Sequence, residues 1–132
     1  MNQKKGNFRK AAIAVISSVC VLTSFTPIDA KAATATRTGT TTEGYVVSST
    51  ASYIGNSVTG TGTVVSGPPC SIEVYVRGYS NRNGITSVSC SIRDKMMYGH
   101  SFSKSTSANQ PIVRAVCDAT FNAGTIVTAT AQ

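Results

Sequence analysis

The chain has 132 residues, no tryptophan, 13% charged residues and a formal charge of +7, which limits it to one ordinary domain. Lys4, Lys5, Arg9, Lys10 and Lys31 against Asp29 supply +4 of that charge. The rest carries only +3 with no basic cluster, which argues against a nucleic-acid partner.

The first 32 residues are laid out as an export signal. Lys4, Lys5, Arg9 and Lys10 form a basic start, and the run from Ala11 to Phe25 is mostly apolar and uncharged. Pro27 then breaks any helix, and Ala30-Lys31-Ala32 offers the small residues that a signal peptidase accepts, placing cleavage after Ala32. The apolar run is short of the roughly 20 residues that a membrane span needs. A lipoprotein signal would use Cys20, but Val19 stands before it where that processing prefers a small residue. The leader, with its basic start and Ala-Lys-Ala-Ala ending, resembles those of exported Gram-positive bacterial proteins. No hydrophobic sorting tail precedes Gln132. The expected location is therefore extracellular, released or loosely associated with the cell wall, with no membrane span after cleavage.

Residues 33–43 are threonine-rich and almost free of large apolar side chains, so a flexible lead-in is expected there. From residue 44 to 132 the composition favours strands in a single domain: Val, Ile, Thr, Tyr and Ser dominate. The predicted strands are Tyr45–Ile54, Val58–Ser66, Cys70–Tyr79, Ile85–Arg93, a weaker Met96–Lys104, Ile112–Phe121 and Thr125–Ala131. Gly55-Asn56, Gly67-Pro68-Pro69, Asn81-Arg82-Asn83-Gly84 and Asn122-Ala123-Gly124 separate them.

Cys70, Ile72, Val74 and Val76 alternate with Ser71, Glu73, Tyr75 and Arg77, giving one dry and one wet face. Asn83-Gly84 suits a type I′ hairpin, after which Thr86, Val88, Cys90 and Ile92 read as an inward series. The expected fold is all-β, a small antiparallel β-sandwich of Ig-like general architecture, with a small barrel as the alternative.

Cys70, Cys90 and Cys117 survive cleavage, and period-two phase puts all three on apolar faces. Export permits a disulfide. The hairpin register sets Cys70 opposite residue 97 and away from Cys90, so Cys90–Cys117 is the expected pair, worth on the order of 3–4 kcal/mol in a chain-entropy account.

The cysteines are 20 and 27 residues apart and His100 is the lone histidine, so neither a zinc site nor any other metal or cofactor is expected. An enzyme would have to use His100 as base toward Cys117 with Asp94 or Asp118 orienting it, or bring together two of the acids Glu43, Glu73, Asp94 and Asp118. Their spacing supports neither, and a solvated loop histidine is the simpler reading. A binding surface is the more natural expectation, with Tyr75, Arg77 and Tyr79, beside Glu73, on the wet side of one strand; tyrosines there also serve cross-strand packing alone. The sequence thus points to a secreted non-enzymatic β-domain meeting a cell-wall polymer, glycan or protein. A bacteriocin-like antagonist and a small enzyme using His100 are the alternatives.

Overall fold

The computed structural model describes residues 31–132, and the export signal expected over residues 1–32 lies outside them except for Lys31 and Ala32. Eight strands follow in order: β1 (Ala32–Thr40), β2 (Val46–Ile54), β3 (Ser57–Ser66), β4 (Cys70–Arg82), β5 (Ile85–Gly99), β6 (Ser101–Ser107), β7 (Arg114–Phe121) and β8 (Thr125–Ala131). They form two four-stranded antiparallel sheets, ordered β1-β2-β3-β6 and β5-β4-β7-β8. No helix occurs among the described residues.

The alternation read from the sequence decides which side of each strand is dry. Cys70, Ile72, Val74 and Val76 of β4 are fully buried, as are Ala115, Cys117, Ala119 and Phe121 of β7. Against them the first sheet sets Val47, Ala51, Tyr53, Val58 and Val64, so one apolar core lies between the two layers. The contributing side chains are small, and the sheets approach closely. A Cβ on Gly60 of β3 would stand 2.7 Å from the Cys117 sulfur and collide with Val76, and one on Gly62 would lie 2.7 Å from Ile72 Cγ2. Ser49, wholly buried on β2, ties the layers by donating to the Cys117 carbonyl at 2.9 Å.

Asn83 and Gly84 both have positive φ, at 55° and 82°, as a type I′ hairpin turn requires. The pairing starts as expected with Arg82 opposite Ile85 and Tyr79 opposite Val88. Then Gly78 pairs with Cys90, which makes Ser89 the extra residue of a bulge. The bulge reverses the phase: Thr86 and Val88 share the outer face with Asn81 and Tyr79, while Cys90 and Ile92 face the core. The expected single inward series from Thr86 to Ile92 is thus split in two. A second irregularity puts Cys70 opposite Gly99 rather than residue 97.

Three further expectations are corrected. The segment read as a flexible lead-in contains β1, paired with β2 along its whole length from Ala32–Ile54 to Thr40–Val46. Its stability comes from backbone pairing and from small inward residues, Ala33, Ala35 and Gly39, that fit against the core where bulky ones would not. Second, β5 runs unbroken through Arg93–Met96 to Gly99, and the break comes at His100 instead. Charge does not interrupt it, because Asp94 accepts from Lys104 of β6 at 2.9 Å across the open side of the layers. Third, the strand order is not that of immunoglobulin domains, whose sheets are ABED and CFG; here the first three strands are consecutive neighbours in one sheet.

The Cys90–Cys117 disulfide is not formed, and the three cysteines among the described residues, Cys70, Cys90 and Cys117, are free. Cys90 pairs with Gly78 on one side of β4, and Cys117 with Val76 on the other. Two strand spacings, about 10 Å, exceed the roughly 7 Å between Cα atoms that a disulfide spans. Cys70 sits at the end of the sheet, with its sulfur 3.4 Å from the Asn122 amide.

Candidate functional site

The outer face of the second sheet gathers the residues singled out for binding. Glu73, Tyr75, Arg77 and Tyr79 alternate outward along β4. Pairing then sets a neighbour on each side: Lys95 and Thr120 beside Glu73, Arg93 and Asp118 beside Tyr75, Val88 and Arg114 beside Tyr79.

Guanidinium groups cover the tyrosine rings. Arg93 and Arg77 lie 4.1 Å and 4.7 Å from the Tyr75 centroid, and Arg114 lies 4.3 Å from that of Tyr79. Arg77 is committed elsewhere as well, because its Nη2 donates to Asp118 Oδ2 at 2.6 Å while Thr128 donates to Asp118 Oδ1 at 2.7 Å. Arg93 faces Glu73 at 3.6 Å and is more than half exposed. Arg114 has no carboxylate partner among the described residues. Below them is a shallow hollow of about 250 Å³ lined by Glu73, Tyr75, Arg93, Asp118, Thr120 and Ile126.

Magnitudes separate the fixed groups from the available ones. Exposed cation–π contacts are worth about 0.5–1 kcal/mol, and exposed ion pairs about 0–1 kcal/mol. Arg93 and Arg114 therefore hold their places weakly and can exchange a ring contact for a ligand group. Arg77, half-buried between strands and bonded to Asp118, is part of the framework. Of the three residues expected to bind, Tyr75 and Tyr79 each lie under a guanidinium, and Arg77 is tied to Asp118. The sequence reading missed Arg93 and Arg114, which reach this face only through strand pairing. The hairpin register would have found Arg93 but for the Ser89 bulge, which displaces it by one residue.

The outer face of the first sheet is chemically opposite. Thr34, Ser52, Thr59 and Ser105 line up across the four strands, as do Thr36, Thr50, Thr61 and Ser103, and again Thr38, Ser48, Thr63 and Ser101. Neighbouring hydroxyls bond one another at 2.6 Å (Thr61–Ser103), 2.7 Å (Thr59–Ser105) and 2.9 Å (Thr36–Thr50). Not one of these positions is charged.

Of the groups considered for catalysis, His100 and Cys117 are kept apart, and the two acids that share a hollow are each paired with an arginine. His100 lies in the β5–β6 turn with its Nε2 3.2 Å from the Gly67 carbonyl oxygen. Its backbone carbonyl accepts from Val64, whereas Cys117 packs against Gly60, four residues or about 13 Å farther along β3. Burial raises the Cys117 thiol pKa above its ordinary value, and that of Cys90 likewise, which opposes the thiolate a nucleophile needs. The Lys104 side chain, helped by the Lys95 backbone amide, holds the Asp94 carboxyl below its ordinary pKa. Glu73 and Asp118 line one hollow, but each faces a guanidinium. No cluster of three or more metal-ligating side chains exists among the described residues.

No protein-family model matches the chain, and neither a curated protein nor a solved structure matches it.

Proposed function

We propose that this chain is a small secreted β-sandwich domain, made with a cleaved signal over residues 1–32, that works without catalysis by attaching to an extracellular surface, glycan or protein partner. The observation that carries this reading is the asymmetry of its two faces. On the second sheet Arg77, Arg93, Lys95 and Arg114 face outward with Glu73 and Asp118 among tyrosine rings, while the first sheet turns out a field of neutral hydroxyls. Aromatic and arginine side chains grouped on one face are the composition that recognition surfaces favour. The excess of base directs that face toward anionic groups, such as those of a wall polymer or an acidic glycan.

Pull-down with isolated cell walls and binding to a glycan array test the proposal. The protein is expected to bind in at least one of them, and Arg93→Ala combined with Arg114→Ala should weaken that binding by about tenfold or more, the range for losing charge-assisted contacts. Retained binding in the double variant would move the site off this face. Absence of binding by the unaltered protein in both screens would end the reading.

A further inference from the structure

A second pocket opens at the end of the second sheet where β4 turns into β5. It measures about 240 Å³ and is lined by Ser80, Arg82, Ser87, Val88, Ser89, Asn109 and Gln110. Its floor holds an anomaly. Ser80 is 3% exposed, yet its Oγ has no hydrogen-bond partner among the described residues. Buried hydroxyls are nearly always paired, so an exception calls for an explanation.

The surroundings are built rather than accidental. Ser87, Val88 and Ser89 all border the pocket, and Ser89 is the extra residue of the bulge. Bulges re-aim side chains next to functional sites. The facing wall, Asn109-Gln110, is pinned on both sides: Ala108 donates to the Asn56 carbonyl and Asn56 Nδ2 back to that of Ala108, while Ile112 and Val113 donate to Gly55 and Tyr79. The wall is therefore preorganised.

The chemistry of the lining selects the ligand. Arg82 is its single charge, with no carboxylate partner among the described residues, and a guanidinium fork fits a carboxylate in two parallel bonds. Apart from Val88, everything else is hydroxyl or carboxamide, groups that both donate and accept and so match sugar hydroxyls. One positive charge balances a monoanion and leaves a phosphate dianion half compensated. The volume falls below the roughly 300–1,000 Å³ of sites for drug-sized ligands, which restricts the occupant to one small unit.

We infer that this pocket binds a single acidic sugar unit, with Arg82 on its carboxylate, the amides and serines of the walls on its hydroxyls, and Ser80 donating from the floor. The site borders the Tyr79 end of the Tyr75 face at Val88 but shares none of its charged or aromatic residues, so it stands or falls separately from the attachment proposed above.

Titration of the ¹⁵N-labelled protein with glucuronate, glucose, inorganic phosphate and an alanyl-alanine dipeptide, followed by two-dimensional NMR, tests it. Glucuronate should shift the signals of Ser80, Ser87, Ser89, Asn109 and Gln110 saturably at millimolar concentration, with glucose binding at least about tenfold more weakly, as loss of a charge-assisted bond implies. Arg82→Gln, an exposed change, should cost a similar factor. Ser80→Ala should weaken glucuronate several-fold, and Arg93→Ala with Arg114→Ala should leave it unaltered. The inference is overturned by the absence of saturable shifts at these residues, by glucose binding as well as glucuronate, or by an undiminished Arg82→Gln variant. Phosphate or the dipeptide binding as tightly as glucuronate would equally overturn it.

Discussion

Gly60 and Gly62 set how near the two layers lie, because the side chains opposite them occupy the space a Cβ would need. Gly60→Ala forces Val76 and the Cys117 side chain to move together, and overpacking of that kind costs about 1–3 kcal/mol. Urea denaturation should show a loss of this size. Thr61→Ala, between the two glycines but facing outward, gives up only the exposed bond to Ser103 and should cost about 0.2–1 kcal/mol. Equal losses at both positions would mean that backbone freedom and not the approach of the sheets explains the glycines. That Gly60-Thr61-Gly62 belongs to a strand is legible in the sequence. What the glycines are for is not, since Val76, Ile72 and Cys117 come from strands ten or more residues away.

At the level of elements, patterns local to one strand or hairpin were the readable ones. The dry face of β4, the Asn83-Gly84 turn and its first pairs follow from alternation and turn chemistry. β1 did not, because its apolar contribution is alanine and glycine, and nothing in its own sequence distinguishes it from a coil. Only its partner reveals it. Pairing with β2 should slow hydrogen exchange at alternate amides of β1, those directed at β2, while the rest of this edge strand exchanges freely. Exchange at coil rates throughout Ala33–Gly39 would restore the flexible lead-in. The Ser89 bulge was hidden for a related reason. Extra residues in a ladder are set by how two strands fit a third body, here the core under Gly78 and Cys90, and a one-residue slip exchanges the faces beyond it. The candidate site suffered accordingly: Tyr75, Arg77 and Tyr79 were found on one strand, while Arg93 and Arg114, contributed by the flanking strands, were not.

For the molecule as a whole, the two layers are held by packing, by the buried Ser49 bond and by the Asp94–Lys104 pair, and the cysteines take part only as core side chains. Cys90 and Cys117 flank β4 beyond bonding reach, and Cys70 lies at one end. Denatured protein lacking the leader should therefore present three reactive thiols, and four with Cys20 retained. Reductant should leave the thermal midpoint where it is. In the native state the half-buried Cys90 should react before Cys70 and Cys117, both fully buried. Alkali provides the linked test. The Cys117 pKa is raised in the folded state, chiefly by desolvation, so the neutral thiol is kept there while the unfolded chain ionises near the ordinary thiol value of about 8.5. Its contribution to stability is then complete below that pH and is lost as pH climbs toward the higher folded value. Stability should fall on going from neutral pH into this range, and less steeply in Cys117→Ala. One thiol in denaturant, or a reductant-sensitive midpoint, would show that a disulfide forms after all, and that the strands carrying Cys90 and Cys117 stand closer than their pairing with β4 allows.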